Sequence, residues 1–347
     1  MFIISFYKTD ILLVELTHLN FCLDLTKFSV AHIYIFSKGD LMVDVALLGT
    51  GGMLPLPNRF LTSMYCRING RYIMIDCGEG TQISLRMLGW SVKNLDVICF
   101  THFHADHISG LPGILLTVAN SGRTEPITLI GPRHLKTIAK NLCVIASELP
   151  FELKIIEYDT STQNPFQSFE TKDFIINIFP VEHSTNCLAY NICVPRHGKF
   201  DPDKAINLGL PKKLWSLLQN GETLEYKNKT YTPQEVMGQP RKGIKISYCT
   251  DTRPVKLLDD FVRDSDLFIC EGIYGENEKI TKALAKKHMI FSEAAQVAKD
   301  ANVKELWLTH FSPAMPEPEN FLESAKKIFD NTVVAKDRMR KTILFGD

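Results

Sequence analysis

The sequence predicts an α/β fold in which helices cover the outside of two stacked β-sheets. From Met42 onward, strand-like apolar runs alternate with helical segments, and the strands outnumber those of a simple doubly wound sheet. Helical segments such as 291–301 carry one apolar stripe, which is typical of a helix that packs on one face of a sheet. Two sheets between layers of helix accommodate both observations.

Local patterns define the elements in chain order. Asn69-Gly70, a dipeptide typical of tight hairpins, separates two strand-like runs. A helix at 80–88 is expected to end at Gly89, because glycine adopts the conformation that closes helices. Strands are predicted at residues 43–49, 63–68, 71–76, 95–100, 127–130, 174–179, 188–194, 244–249, 267–271 and 306–309. Helices are predicted at residues 80–88, 110–120 and 291–301.

Composition limits the possible functions. The 347 residues are enough for one large domain or two ordinary ones, and the 45% hydrophobic content can fill a substantial core. With 39 basic and 39 acidic residues the formal net charge is zero, so a polyanionic partner has to bind a local basic patch. The nine cysteines are scattered singly without a CxxC pair, as is typical of reduced core residues. This cysteine usage indicates a cytoplasmic protein.

Residues 1–41 differ from the rest of the chain. Charged residues interrupt their apolar runs, so no run reaches the roughly 20 residues of a transmembrane helix. They also lack the order of a secretory signal. Residues 38–41 can be encoded by a purine-rich tract that resembles a bacterial ribosome-binding site. We therefore hypothesise that Met42 is the true start, that residues 42–347 form one domain, and that the protein has no membrane partner.

A dense group of metal-binding side chains lies at 101–107, Thr-His-Phe-His-Ala-Asp-His, directly after the strand predicted at 95–100. Imidazole nitrogens and carboxylate oxygens are ligands that suit Zn²⁺. The four candidate ligands are His102, His104, Asp106 and His107. Their uneven spacing allows them to divide between two ions instead of crowding one.

Three more polar residues stand just past apolar runs, in the same position relative to a strand. They are His183, Asp251 and His310. One such residue alone would more often be a cap, a turn residue or a buried histidine. Four strand-end positions in one chain, with the group at 101–107 among them, favour a dinuclear metal site.

Residues 195–243 interrupt the alternation of strands and helices. This stretch is rich in proline, glycine and charge and is interpreted as an insertion or arm, although an ordinary surface excursion has similar composition. It contains a cluster of basic residues: Lys199, Lys204, Lys212, Lys213, Lys227, Lys229, Arg241 and Lys242. With Trp215 and Tyr226 among them, they provide what a phosphate-backbone contact surface needs.

The HxHxDH motif at 102–107 and its distant partners resemble the metallo-β-lactamase superfamily and, within it, the ribonuclease Z (tRNase Z) family. Further similarity lies at 48–52 (Leu-Gly-Thr-Gly-Gly), at 76–82 (Asp-Cys-Gly-Glu-Gly-Thr-Gln), at 248–253 (Tyr-Cys-Thr-Asp-Thr-Arg) and at His288-Met289. The resemblance covers residues 42–347 and leaves the first 41 unmatched.

This resemblance implies a four-layer αββα sandwich with two zinc ions at the sheet edge. It also implies an endonuclease that removes the 3′ trailer from precursor tRNA and leaves a 3′-hydroxyl. One zinc would be held by His102, His104 and His183, the other by Asp106, His107 and His310, with Asp251 between them. Such a pair activates a hydroxide for attack on a phosphodiester. Asp106 is expected to accept the nucleophile's proton as well.

Among the remaining histidines, His288 matches the family's late histidine and is implied to be the general acid for the leaving 3′ oxygen. Without the resemblance it would be interpreted as a surface histidine that follows two lysines. Glu271, at the end of a predicted strand, either orients His288 or caps a turn. His134 and His197 are not expected to join the metal site.

The resemblance implies that residues 195–243 are a tRNA-binding arm with substrate contacts at Lys212, Lys213 and Trp215. The two lysines stand where the family usually has a Gly-Pro pair, so the arm stays basic with a different tip. The loop at 55–60, Pro-Leu-Pro-Asn-Arg-Phe, lacks the lysine and final asparagine of the family's loop. The cleavage position relative to the CCA end therefore stays open.

The resemblance also implies a homodimer in which the arm of one subunit holds tRNA for the site of the other. Two other functions use the same residues. A hydrolase of a small ester, thioester or lactam would use the same two zinc ions but would not need a long basic arm. A non-catalytic nucleic-acid-binding module would not need the complete set of ligands.

Overall fold

Two seven-stranded sheets lie face to face in the computed structural model, which describes residues 42–160, 166–196, 198–239 and 241–346. Helices cover the outer face of each sheet. This αββα arrangement confirms the predicted fold class. The hypothesis that Met42 is the true start concerns residues 1–41, which lie outside the described residues, as does His197.

The sixteen strands of the described residues include the ten that the sequence predicts. They are β1 (Met42–Gly49), β2 (Ser63–Ile68), β3 (Arg71–Ile75), β4 (Leu95–Cys99), β5 (Ile127–Pro132), β6 (Leu153–Tyr158), β7 (Gln167–Glu170), β8 (Ile175–Glu182), β9 (Asn186–Arg196), β10 (Leu224–Tyr226), β11 (Lys229–Tyr231), β12 (Arg241–Cys249), β13 (Leu267–Glu271), β14 (Leu306–Thr309), β15 (Thr332–Val334) and β16 (Arg340–Leu344). Asn69 and Gly70 both have positive φ, 51° and 74°, as a tight hairpin between β2 and β3 requires.

The helices are short, and each predicted helix is present. They are α1 (Thr81–Leu88), α2 (Ala105–Ile108), α3 (Leu111–Asn120), α4 (Leu135–Leu142), α5 (Pro202–Asn207), α6 (Trp215–Gln219), α7 (Leu258–Val262), α8 (Ile280–Lys286), α9 (Phe291–Asp300) and α10 (Leu322–Lys326). Gly89 closes α1 in the left-handed conformation, as expected. No helix among the described residues is long and apolar enough to cross a membrane.

The first sheet has the strand order β16-β1-β2-β3-β4-β5-β6, and the second has the order β15-β14-β13-β12-β9-β8-β7. Alternate residues of each strand serve two cores. In β13, Leu267 and Ile269 face the space between the sheets, whereas Phe268 and Cys270 pack in the outer layer with the helices. This alternation explains why the strands are apolar on both faces.

The predicted insertion separates β9 from β12. The two strands pair as far as Arg196 and Arg241, so the excursion is slightly shorter than the predicted 195–243. Its described part, residues 198–239, is called the arm below. The arm has its own small hydrophobic cluster, to which Ala205, Leu218 and Val236 belong.

One edge of the sandwich collects the polar strand ends. The chain leaves β8, β12 and β14 there and presents His183, Asp251 and His310 within two residues of each strand end. Asp251 and His310 both have positive φ, 53° and 58°, which is uncommon for side-chain-bearing residues and is typical of constrained functional sites.

Candidate metal centre

The loop after β4 is anchored from beneath by Asp76, the residue that follows β3. Asp76 accepts hydrogen bonds from the backbone N–H and the hydroxyl of Thr101, each at 2.8 Å. Its Oδ2 also lies 2.8 Å from Nδ1 of His107. Because Asp76 engages Nδ1, the ring of His107 directs Nε2 towards the other candidate ligands.

Three imidazoles form the first group of candidate ligands. Nδ1 of His104 lies 2.9 Å from Nε2 of His102 and 3.3 Å from Nε2 of His183. Oδ2 of Asp251 lies 3.7 Å from Nε2 of His102 and 3.6 Å from Nε2 of His183. These four side chains come from three strand ends, and their ligand atoms lie within 4.8 Å of one another.

The second group combines Asp106, His107 and His310. The two Nε2 atoms of His107 and His310 are 3.2 Å apart, and Oδ2 of Asp106 lies 3.5 Å from the first and 3.4 Å from the second. Oδ1 of Asp251 lies 3.3 Å from Nε2 of His107 and 3.1 Å from Nε2 of His310. One carboxylate oxygen of Asp251 therefore faces each group.

The chemistry of both groups fits a metal. Imidazole nitrogens that face each other at these distances cannot all carry protons. Their lone pairs and the nearby carboxylate oxygens can instead bind a cation. Burial and the neighbouring His107 hold the pKa of His102 well below its usual range, so that ring is neutral. Burial alone would raise the pKa of Asp251, but His310 and His107 outweigh it and hold that pKa well below its usual range. The two groups of donors could therefore hold metal ions.

Close packing at Gly52 sets the position of one candidate ligand. A Cβ atom at Gly52 would lie 2.5 Å from Cε1 of His310, so only glycine fits beside the ring. Next to it, the backbone N–H of Met53 donates to Oδ2 of Asp106 at 2.6 Å. The glycine turn that the sequence places near the first strand is thus part of the wall of the metal centre.

A residue near the C-terminal end of the chain holds this glycine turn in place. Asp337 accepts hydrogen bonds from the backbone N–H of Thr50 at 3.0 Å and from its hydroxyl at 2.8 Å. Its other oxygen accepts from the backbone N–H of Phe60 at 2.6 Å. Arg59 donates to the carbonyls of Met315 and Pro316, so the loop 55–60 is held at its C-terminal end, through Arg59 and Phe60.

His288 lies beside the metal centre and is held by a buried carboxylate. Its Nδ1 lies 2.9 Å from Oε2 of Glu271 and 3.9 Å from Oδ2 of Asp251. Burial alone would lower the pKa of His288, but Glu271 outweighs it and raises that pKa to about 9. The other oxygen of Glu271 accepts a hydrogen bond from the backbone N–H of Thr252. Glu271 therefore contacts His288 and holds the turn after β12 at the same time.

The backbone of His288 has a separate support. Nη1 of Arg253 donates to the carbonyl oxygen of His288, and the guanidinium forms two hydrogen bonds with Glu293. Oε2 of Glu293 accepts the backbone N–H of Ile290 at 3.1 Å. The backbone N–H of Arg253 donates to the carbonyl of Glu182 at 3.1 Å. Arg253 thus links the segment of His288 to the residues that precede His183.

A cavity of about 770 Å³ opens over the cluster. Five candidate ligands and His288 line it: His104, Asp106, His183, Asp251, His310 and His288. Helix α8 forms another wall, with Lys282, Lys286 and Lys287. The site therefore combines nitrogen and oxygen ligands with cationic side chains in one cleft.

The candidate substrate contacts lie elsewhere, in the arm. Lys212 and Lys213 are exposed and do not line the cavity. Trp215 is half-buried in the cluster of the arm, where its Nε1–H donates to the carbonyl of Leu210 at 2.9 Å and its ring lies 5.3 Å from that of Phe200. His134 precedes α4 and is exposed, away from the cavity as expected.

Sequence reasoning assigned no role to Asp76, Arg253 or Glu293. The first two lie within the segments that resemble the family, and Glu293 lies within a predicted helix. For Asp76, the position directly after a strand was a usable signal, because Asp251 and His310 were found in that way. Arg253 and Glu293 carry no such pattern, since their contact joins a turn to a distant helix.

Residues 43–220 match the family model described as Anti-Pycsar protein Apyc1. That range includes the HxHxDH motif and His183 but ends before Asp251, His288 and His310. A ribonuclease Z of Clostridium acetobutylicum is 55% identical over 306 residues, which are 88% of this chain and 99% of that protein.

Two solved structures share the fold. The short form of human tRNase Z is 24% identical, with a TM-score of 0.62, and the match covers 86% of this chain and 98% of that one. A metallo-β-lactamase fold protein of Bacillus subtilis, YhfI, is 19% identical, with a TM-score of 0.61 and coverages of 87% and 99%. The chain thus belongs to the class of proteins with the metallo-β-lactamase fold, and its His/Asp cluster could hold a metal ion. Within that class, the chain belongs to the ribonuclease Z family and is an endoribonuclease.

Proposed function

We propose that the protein removes the 3′ trailer from precursor tRNA by hydrolysing one phosphodiester and leaving a 3′-hydroxyl on the tRNA. The observation that carries the proposal is the convergence of six donor side chains around Asp251, in a chain that is 55% identical over 306 residues to a ribonuclease Z. A phosphodiester is a substrate for which paired metal ions are well suited.

The proposed metals are two Zn²⁺ ions, because the donors are imidazoles and carboxylates arranged in two groups. His102, His104 and His183 would hold one ion, Asp106, His107 and His310 the other, and Asp251 would contribute one oxygen to each. When bound, such a pair lowers the pKa of a water molecule and neutralises charge on the phosphodiester.

The chain's own side chains would move the protons. Asp106 is placed to accept a proton from the attacking water, and His288 to protonate the leaving 3′ oxygen of the tRNA. Since Glu271 engages Nδ1 of His288, Nε2 is the nitrogen that remains for the substrate. Glu271 is buried completely, so it fixes the orientation of the ring without competing for substrate.

Recognition of tRNA is assigned to the arm. The chain has no net charge, so binding of a polyanion depends on local groups of cations. Lys212 and Lys213 are exposed on the arm, and Trp215 supports them by its packing in the arm's cluster. A hydrolase of a small ester, thioester or lactam would use the same donors but would have no need of this arm.

A homodimer is part of the proposal. Exposed apolar side chains occur on α1, on α3 and on the 3₁₀ turn Cys143–Ala146, which follow one another across the outer layer of the first sheet. They are Ile83, Met87, Leu116, Val144 and Ile145. These exposed apolar side chains are the surface that a second copy is proposed to cover. A monomeric mass by light scattering, at concentrations where the protein is active, would contradict the dimer.

A cytoplasmic location completes the proposal, because the eight described cysteines are all free thiols. Burial raises the pKa of most of them, as for Cys66 and Cys77, which makes them unreactive core residues. Such thiols are typical of proteins that work in a reducing compartment.

The test uses precursor tRNA labelled at its 5′ end and carrying a 3′ trailer. Wild-type protein should release the trailer, and a chelator should stop the reaction until Zn²⁺ is restored. His104→Ala should lose at least about 10³-fold in kcat, because it removes one proposed metal donor. The fold should tolerate this change, because the position is exposed. His134→Asn, a change at an exposed histidine outside the cluster, serves as the matched control. Absence of metal-dependent cleavage by the wild type would remove the proposed function. Equal activity in His104→Ala would remove its metal role.

A further inference from the structure

One wall of the cavity carries more positive charge than the metal chemistry uses. Helix α8 contributes Lys282, Ala285 and Lys286 to this wall, and Lys287 follows at the end of the helix. Lys282 and Lys286 are four residues apart, which places them on the same face of the helix. Both side chains are exposed, so they can reach a ligand that enters the cavity from solvent.

The neighbouring lysines already have partners. Nζ of Lys287 lies 3.3 Å from Oε1 of Glu182, and Nζ of Lys279 lies 2.6 Å from Oε1 of Glu276. In contrast, no acidic side chain of the described residues forms an ion pair with Lys282 or Lys286. These two cations are therefore the part of the wall that is not neutralised within the protein.

Lys282 is also held near the cavity. Its Nζ lies 5.0 Å from the centre of the Tyr274 ring, and that buried ring lines the same cavity. A cation above an aromatic face loses some of its freedom to point into solvent. The ammonium group is thus positioned before any ligand arrives.

Helix α8 is coupled directly to the proposed general acid. The backbone N–H of His288 donates to the carbonyl of Ala283 at 2.9 Å, and Lys287 ends the helix in the left-handed conformation. A ligand bound by Lys282 and Lys286 would therefore lie at a fixed distance from His288. This connection distinguishes α8 from the arm, which has its own hydrophobic cluster.

We propose that Lys282 and Lys286 bind backbone phosphates of the RNA strand next to the bond that is cut, and so place that bond opposite His288. This inference rests on the proposed function, since it assigns a substrate contact to the same site. The ligand class is a single-stranded polyanion, because both cations face the cavity where the chain to be cut must enter. The contact is separate from the arm, which would bind the body of the tRNA.

The test is the double substitution Lys282→Ala with Lys286→Ala, assayed as purified zinc-loaded enzyme on labelled precursor tRNA. We expect KM to rise roughly fivefold or more with a smaller change in kcat, because binding is lost while the metal centre is intact. The dependence of log(kcat/KM) on log[salt] should become shallower by about 1.4, since each contact to single-stranded RNA contributes about 0.7. A merely structural role would not change the salt dependence.

Lys299→Ala is the matched control, because Lys299 is exposed on α9 and does not line the cavity. It should leave KM and the salt dependence at wild-type values. The charge reversal Lys282→Glu with Lys286→Glu should raise KM further than the alanine pair. If the wild type cleaves precursor tRNA while the alanine pair keeps its KM and salt dependence, this inference is wrong and the proposed function stands. If the wild type does not cleave precursor tRNA, both the proposed function and this inference are wrong.

Discussion

The metal centre and the arm are built in opposite ways. The metal centre collects buried donors from strand ends that are up to about two hundred residues apart, such as His107 and His310. The arm is a local structure, in which residues 198–239 pack around one small cluster and expose their lysines. Catalysis therefore depends on the correct folding of the whole domain. Recognition of tRNA depends on exposed charges, which the arm presents on a local structure.

This difference has a kinetic consequence. Changes at the metal centre should lower kcat and disturb neighbours, because each donor contacts several others. Changes of exposed arm residues should raise KM and leave stability unchanged, since these side chains make few contacts within the protein. The following substitutions test that separation, in order of decreasing expected effect.

His288→Ala should have the largest effect among residues outside the proposed ligands. We expect kcat to fall about 10²- to 10⁴-fold with little change in KM, because the leaving oxygen loses its proton donor. Zinc content, measured by atomic emission, should stay at the wild-type value. A kcat within threefold of wild type would show that His288 is not the general acid.

Glu271→Gln is the companion to that change. It removes the negative charge and leaves one oxygen for two donors, Nδ1 of His288 and the backbone N–H of Thr252. We expect a loss of roughly 10-fold in kcat, smaller than that of His288→Ala, because the imidazole itself is retained. The double variant should then be no slower than His288→Ala alone, since Glu271 acts through His288.

Arg253→Ala tests whether distant support matters to the metal centre. The guanidinium holds the carbonyl of His288 and pairs with Glu293 in a mostly buried position, with 14% and 21% of the two side chains exposed. We expect kcat to fall roughly 10-fold and the free energy of unfolding to drop by roughly 1–3 kcal/mol. Both are measured well below the melting temperature.

Arg263→Ala is the matched control for this change. Arg263 forms an exposed pair with Asp260, in which 47% and 57% of the side chains are accessible. An exposed pair contributes little, so neither stability nor kcat should change measurably. If the two arginine variants behave alike, Arg253 has no special role in placing His288.

Substitutions of exposed lysines in the arm should raise KM and leave kcat unchanged. Lys212→Ala with Lys213→Ala is expected to raise KM for precursor tRNA roughly fivefold and to reduce the salt dependence of log(kcat/KM) by about 1.8, because duplex contacts contribute about 0.9 each. The melting temperature should stay the same, since both side chains are exposed. Lys140→Ala, at an exposed position on α4, is the control. An altered kcat at saturating tRNA would contradict the separation between catalysis at the metal centre and recognition by the arm.

The sequence predicts the fold and the site well where an apolar run or a polar residue at a strand end is visible. Strand β13 is a continuous apolar run between polar residues, so the sequence predicts its bounds, Leu267–Glu271, without error. Donors such as Asp251 could be found because a polar residue directly follows an apolar run. Their convergence at one edge follows from the stacking of two sheets.

Other features left no local pattern. Strand β6 carries Lys154 and Glu157 on a half-exposed strand, so its apolar residues do not form a clear run. Strand β16 begins with Arg340 and Lys341 and is recognised only by its pairing with β1. The contact between Arg253 and Glu293 depends on tertiary placement, which neither propensity nor spacing encodes.

Asp337 also bears on the order of events during folding. Its hydrogen bonds to Thr50 and Phe60 close loops of 287 and 277 residues. Contacts of such sequence separation form late, because the entropy of closing the loop is lost before the contact stabilises anything. The turn beside Gly52 and His310 can therefore be fixed only after the C-terminal segment has docked. We expect tight metal binding to appear in the last kinetic phase of refolding, as the final step by which the chain becomes an enzyme.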